Sequence, residues 1–281
     1  MKSCEQNVSP ESDYYIYTPS KSALEMFFYP LQCGHFIYEA GYSLRRESYD
    51  SFLLLYVKEG YLTLEFEELI TSISAGQFLL LDCYQLHAYA CPVYCDCLWC
   101  HFDGAIARHW YTAIVSRLDN FFSMPDSCSP LEKLNTIYNI FASGHPIREP
   151  LMSKYLTDIL TAFLLYSPSD ENGYQESNMS EKLITYINDH FREPLSVKGL
   201  ADIAGFSQYH FIRTFKKDTG FTPHEYIIHT RIGTAKYLLK NTRMTIKDIC
   251  FQTGFSCESV FCSSFKHCLG ITPAQYRRLN T

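Results

Sequence analysis

"GFSQYHFIRTF" at residues 205–215 is nearly rewritten forty-nine residues later as "GFSCESVF" at 254–261. The likeness runs further. "SVKGLADIAGFSQYHFIRTFKKDTGFTPHEY" (196–226) parallels "TIKDICFQTGFSCESVFCSSFKHCLGITPAQY" (245–276). The offset is 49 up to the serine after Gly-Phe, and 50 at Phe211/Phe261, Phe215/Phe265, Gly220/Gly270, Pro223/Pro273 and Tyr226/Tyr276. That shift predicts one extra residue early in the second copy's long helix.

Each copy decodes into the same parts. Leu200 and Ile203, like Ile246 and Ile249, give a short helix one apolar stripe. Gly205 and Gly254 fall where a helix ends in a left-handed residue. Ser207 and Ser256 are suited to cap the next helix. That helix carries Phe211 and Phe215, or Phe261 and Phe265, four apart on one buried face. Gly220 and Gly270 stop it. "TPHE" (222–225) and "TPAQ" (272–275) then have the form of capping boxes with Pro at the first helical position. Helix, glycine turn and a second helix with a polar outer face make a helix-turn-helix unit. Residues 223–241 read as one helix joining the two units.

A plain helical bundle would satisfy the same pattern. The outer faces favour DNA, because they carry Arg213, Lys216, Lys217 and Lys266 beside polar side chains. Two such helices on a rigid connector fit successive major grooves, about 34 Å apart. The charge distribution agrees. Residues 179–281 carry 14 Lys+Arg against 8 Asp+Glu, while residues 1–178 carry 10 against 22. The rear of the chain suits a polyanion.

The chain has 281 residues, 47% of them apolar, enough for two domains with sizeable cores. Residues 1–20 read as a loose arm. From about Leu24 to Phe102 the texture is strand-like: "FLLLYVKEG" closes on Gly60, and "YLTLEFEELI" alternates through Leu62, Leu64 and Phe66. Short strands with frequent turn signals indicate a sandwich or small barrel over 21–104. Residues 105–166 read as connecting helices, with Leu156, Ile159, Leu160, Phe163 and Leu164 on one stripe. "SPSDENGYQESN" (167–178) is polar and turn-rich, a linker, leaving 179–281 as the second domain. The fold class is α+β, multidomain. The start lacks a signal peptide's apolar segment, and no apolar run reaches membrane-spanning length, so the expected location is the cytoplasm and the twelve cysteines are expected to be reduced.

Residues 179–281 resemble the DNA-binding domain of the AraC/XylS transcription regulators. The resemblance is carried by "GFS…F…FK…G.TP..YR" over 254–277 and by "RIGTAKYLL" (231–239). The front half is similar to the family's cupin-type sensor domain through "LLLYVKEG", "SAGQFLLLDCYQLHAY" and "CLWCHFDG". The resemblance implies a non-enzymatic regulator that binds double-stranded DNA as a homodimer through the helices of 105–166, with RNA polymerase as a further partner. It implies base contacts from Tyr209, Ile212 and Arg213 in the first unit and Ser259, Cys262 and Ser263 in the second, with Gln208, Glu258 and the lysines at the edges. The chain departs from the family at Ser263, where arginine is usual. The resemblance also implies an effector inside the barrel, a carbohydrate in sugar-sensing members, held by Arg45, Tyr89, Cys97 and Trp99 with His87 nearby.

Two other readings stand beside this one. A metal-dependent cupin enzyme needs a His-x-His pair upstream of His87, and none exists, so no metal or cofactor is expected. "CPVYCDCLWCH" (91–101) holds enough sulfur for zinc or for redox sensing. On a strand, however, Cys95 and Cys97 face one way and Cys100 the other. A constitutive DNA binder with an empty barrel also fits.

Overall fold

The Tyr-rich start is built into the fold and does not form a loose arm. Asp13–Ile16 form strand β1, which pairs antiparallel with β2 (Phe28–Glu39). Lys2 and Val8 make bridges to Asp13 and Tyr38. Glu149 accepts from the Ser20 backbone N–H at 2.6 Å, the Ser20 hydroxyl at 2.6 Å and the Tyr17 hydroxyl at 3.0 Å. Polar residues are recruited here by hydrogen bonds to distant partners, which composition does not reveal. The computed structural model describes residues 1–3, 5–124, 130–166 and 173–280, without the side chains of 173–181 and 280. They fall in two compact units, Met1–Pro168 and Ser169–Thr281.

The first unit continues with α1 (Lys21–Met26), β2, β3 (Tyr42–Arg46), β4 (Phe52–Phe66), β5 (Leu69–Ser74), β6 (Gln77–Asp82), β7 (His87–Cys91), β8 (Tyr94–Gly104), α2 (Ala107–Leu118), β9 (Phe121–Ser123), α3 (Pro130–Ala142) and α4 (Glu149–Leu165). All strand pairings are antiparallel. One layer runs β1-β2-β8-β4-β6-β9, and β3, β5 and β7 make the other. Strand β4 belongs to both. Its first half pairs with β8 and β6, and its second with β5 and β7. The change occurs at an irregularity between Val57 and Glu59, beside Gly60 at φ 73. A side chain on Gly60 would meet the Tyr94 carbonyl at 2.0 Å. Gly60 therefore bends β4 where the sequence suggested it would end.

The first layer is covered on both faces. Phe52, Leu54, Phe78, Leu80 and Phe102 pack outward on Ile114, Ile137, Leu156, Ile159 and Phe163 of α2–α4, while Leu53, Leu55, Val57 and Leu79 point between the layers. A strand covered on both sides reads as an unbroken apolar run, which accounts for "FLLLYV" (52–57). Arg108 pins α2 to β6 with two bonds to Asp82, 2.6 and 3.2 Å long.

Among the described residues the second unit has only helices: α5 (Gly173–His190), α6 (Val197–Ala204), α7 (Gln208–Thr219), α8 (Pro223–Asn241), α9 (Ile246–Gln252), α10 (Glu258–Leu269) and α11 (Pro273–Asn280). Of the expected linker, 167–172 lie outside the described residues and 173–178 belong to α5. Ser207 caps α7 by accepting from the His210 N–H. Ser256 does not cap α10. Cys257 takes that place, with no side-chain capping bond to the backbone of the first turn. The extra residue of the second copy therefore lies in the turn, and α7 and α10 are both 12 residues long. Ile203 is 52% exposed. The buried row of α6 is Leu200, Ala201 and Ala204. Both Thr-Pro capping boxes form, Thr222 with Glu225 and Thr272 with Gln275.

Two arginines fasten the helices. Arg231 of α8 donates to the Phe191 and Glu193 carbonyls just after α5, each at 2.8 Å. Arg277 of α11 donates to the Leu239 and Met244 carbonyls, at 3.2 and 2.7 Å, around the end of α8. Gly254, at φ 82, sits against the segment that Arg231 holds, and a Cβ there would lie 2.8 Å from the Phe191 carbonyl oxygen and the Arg192 Cα. The second helix-turn-helix is thereby seated on the end of α5.

Candidate functional site

Each unit carries one candidate site. In the second unit, Phe211 and Phe215 are buried with Leu200 and Ile227, and Phe261 and Phe265 with Ile249 and Leu239. Within each helix the two rings meet edge to face, at 5.5 and 5.8 Å. Burial of each ring stabilises by about 2–3 kcal/mol and fixes which face of α7 and α10 is turned outward. On α7 the outward row holds Gln208, Tyr209, Ile212, Arg213, Lys216 and Lys217, all exposed, with Tyr209 at 78%. On α10 it holds Glu258, Ser259, Ser263 and Lys266. Cys262 does not join that row fully. It is half-buried and packs against the second core, and burial pushes its thiol up.

The two rows differ in chemistry. Arg213 offers a planar fork able to make two bonds to a guanine edge. At the same position of α10, the Ser263 hydroxyl donates to the Val260 carbonyl at 3.0 Å. Its one proton is engaged within the helix. At the start of α10, the Cys257 thiol is lowered, first by its 3.1 Å hydrogen bond with Ser259.

Residues 200–279 match a family model described as a helix-turn-helix domain. Residues 200–279 form an AraC-type helix-turn-helix domain. Over 105 residues the chain is 38% identical to the "bifunctional transcriptional activator/DNA repair enzyme AdaA" of Bacillus subtilis (strain 168), covering 37% of this chain and 50% of that one. Over 167 residues it is 33% identical to an uncharacterized HTH-type transcriptional regulator of Staphylococcus aureus (strain COL), covering 56% of this chain and 22% of that one. The chain thus spans half or less of the length of these two relatives. Among solved structures it is similar to the DNA-binding domain of AdpA in complex with a target DNA, at 27% identity and TM-score 0.35, covering 36% of this chain and 90% of that one. Among the described residues no helix is long and apolar enough to cross a membrane.

In the first unit the layers enclose a cavity of about 220 Å³. Trp99 and Tyr89 line it, together with Phe36, Tyr38, Tyr42 and Tyr49. Its polar groups are Arg46, His101, Gln32 and Glu5. The Phe36 and Trp99 rings stand edge to face at 5.1 Å. His101 is buried and shares a 2.8 Å hydrogen bond with the buried Ser51 hydroxyl. Burial, then the charge of Arg46, lowers its pKa to about 3, so the imidazole is neutral near pH 7. Tyr42 donates to Glu5 at 3.1 Å. Burial, first of all, pushes the phenols of Tyr38, Tyr42 and Tyr89 up, keeping them as donors.

The structure corrects the expected set in three places. Arg45 is not in the cavity. It lies on the outside of β3, 2.7 Å from Glu65, and Arg46 takes the inward place because adjacent strand residues face opposite ways. His87 is buried behind the wall, bonded to the Gln85 carbonyl at 2.8 Å and stacked on Tyr89 at 6.4 Å, and burial lowers its pKa. Cys97 is fully buried in the inner core and does not form part of the wall. Alternation along Tyr42, Leu44 and Arg46 carries the signal for Arg46. Nothing local marks Glu5 or His101.

The cysteines of 83–100 divide between two cores, Cys83, Cys91, Cys95 and Cys97 inside and Cys100 on the helix side. Burial pushes the thiols of Cys83 and Cys100 up to about 12, which disfavours the reactive thiolate. Among the described residues no three His, Cys, Asp or Glu are grouped to hold a metal.

Proposed function

We propose that this protein is a DNA-binding transcription regulator, located in the cytoplasm, whose state is set by a small polar molecule in the cavity of the first unit. The single observation that supports this best is the pair of exposed rows on α7 and α10, each held outward by two buried phenylalanines. Arg213 reads a base in one groove. The α10 row makes mainly backbone contacts through Lys266 and the helix start.

The cavity suits one small ring. Trp99 offers a face to stack on, Arg46 and the tyrosines offer donors, and the neutral His101 offers a polar edge. A carbohydrate is the effector class this lining favours. Ligand-dependent docking of the helices of 105–166 then shifts the population of DNA-binding arrangements, and these helices form the dimer surface. A cysteine sensor in the barrel is disfavoured by the burial of its thiols.

The test is a binding-site selection with the full-length protein, followed by thermal-shift screening against sugars and small metabolites. A single enriched DNA motif whose affinity changes with a stabilising compound is the expected result. Enrichment of DNA without any such compound would leave a constitutive binder.

A further inference from the structure

Between the two recognition helices lies a cleft of about 740 Å³. Lys216 of α7, His224, Glu225 and His229 of α8, and Ser263 and His267 of α10 line it. Lys216 belongs to the exposed row of α7 and Ser263 to that of α10, so the cleft opens between the two rows. A duplex lying on both must carry its backbone across the opening.

The fixed charges facing this space cancel. Lys216 is the permanent cation. Glu225 is the anion, held by the Thr222 backbone N–H at 2.8 Å and interacting electrostatically with both Lys216 and His229. Cys268 adds only a thiol from α10. With neutral imidazoles the cleft carries no net charge. With His224, His229 and His267 protonated it carries about three positive charges, as each imidazole takes one proton. His229 is kept at the wall by the Phe221 ring, 4.8 Å away.

We propose that this cleft is a proton-operated phosphate saddle, in which His224, His229 and His267 grip the DNA backbone between the recognition helices when protonated. The proposal rests on reading α7 and α10 as recognition helices, and adds a regulatory input to them. Phosphate favours the protonated imidazole, so binding takes up protons and affinity rises as pH falls. Two further histidines of this unit need separating from these. His190 is paired with Glu193 at 3.0 Å. His210 lies in the first turn of α7 against Phe206, at 4.7 Å, and serves as the control because it stands on a recognition helix outside the cleft.

The experiment measures the Kd of the full chain for its selected DNA site by fluorescence anisotropy, at about pH 6 and about pH 8, over a salt series. Wild type is expected to bind about tenfold tighter at the lower pH, with a steeper salt dependence, since each phosphate neutralised adds about −0.9 to the slope. The variant His224→Gln/His229→Gln/His267→Gln should lose both differences while keeping its high-pH affinity within about twofold and its melting temperature within a few degrees, because all three side chains are exposed. His210→Gln should keep the wild-type pH step. A pH step that survives the triple variant, or vanishes with His210→Gln alone, overturns the saddle. Tight binding without any pH step overturns it too but leaves the DNA reading intact. No binding at either pH overturns both.

Discussion

The Arg46 guanidinium stands over the Tyr49 ring, 4.7 Å from its centroid, on the cavity side of β3. Its neighbour Arg45 reaches the other way, to Glu65. The two therefore predict opposite outcomes. Arg46→Ala should abolish the stabilisation by an effector, about 2.7 kcal/mol at a hundredfold excess over Kd. Arg45→Ala should keep it, because an exposed ion pair contributes little. Differential scanning fluorimetry with and without the effector decides this. An unaltered response in Arg46→Ala would show that the effector lies elsewhere.

Arg213 and Ser263 occupy equivalent positions on helices of equal length, so their replacement compares the two units directly. Arg213→Ala should relax base preference in one half of the operator, a loss of about 1–3 kcal/mol of discrimination. Ser263→Ala removes a hydroxyl that bonds its own helix and should change affinity by less than about 0.5 kcal/mol. Site selection with both variants reads the result directly. Equal sharpening of the motif under both helices, with Ser263→Ala erasing one half, contradicts the ranking.

His101 makes the first unit sensitive to acid. Its folded pKa, about 3, lies below the ordinary 6.5 of an unfolded histidine. Above about pH 6.5 both states are neutral there and nothing is lost. As the pH falls below that value the unfolded chain takes up a proton that the folded one refuses, and stability declines by up to about 1.4 kcal/mol per pH unit. Urea midpoints followed by tryptophan fluorescence at pH values of about 7 and 5 should fall more steeply in wild type than in His101→Gln. Parallel slopes would mean that other groups carry the acid loss.

Gly205 and Gly254 hold matching places, both at positive φ, but only one is crowded. Gly205→Ala meets nothing within 4 Å and should cost about 1–2 kcal/mol, for the left-handed backbone alone. Gly254→Ala also collides with the backbone of Phe191 and Arg192, so its cost should exceed that of Gly205→Ala by about 1–3 kcal/mol of overpacking. Thermal unfolding of the two variants, measured side by side, gives the order. A reversed order would show that the Arg231-held segment yields easily.

The helical half was legible because its signals are local. Phenylalanines four apart, Thr-Pro boxes and left-handed glycines each act within one turn of chain, and the folded helices use them. The expectations that failed depend on long-range geometry or on single-residue register. Arg45 and Arg46 are adjacent and chemically alike, so the choice between them rests on a one-residue register, which the pairing of Tyr42, Leu44 and Arg46 with Cys91, Tyr89 and His87 across β3 and β7 fixes. Glu5 meets Tyr42 only through the folded sheet, and Tyr17 meets Glu149 across 132 residues. Ser256 is suited to cap a helix by residue type, but the buried Phe261 and Phe265 set the phase of α10, and the phase places its start after Cys257.

The extra residue between Gly254 and Glu258 also says something about how the duplicated segment can change. Added inside α10, it would turn everything after it by about 100°, swinging Phe265 out of the core and into the exposed place Lys266 now holds. Added in the turn, it leaves both phenylalanines seated and alters only the approach to the helix. The turn is thus the place where the two copies can differ in length, while the helices that follow keep the same phase and differ only in the side chains they display.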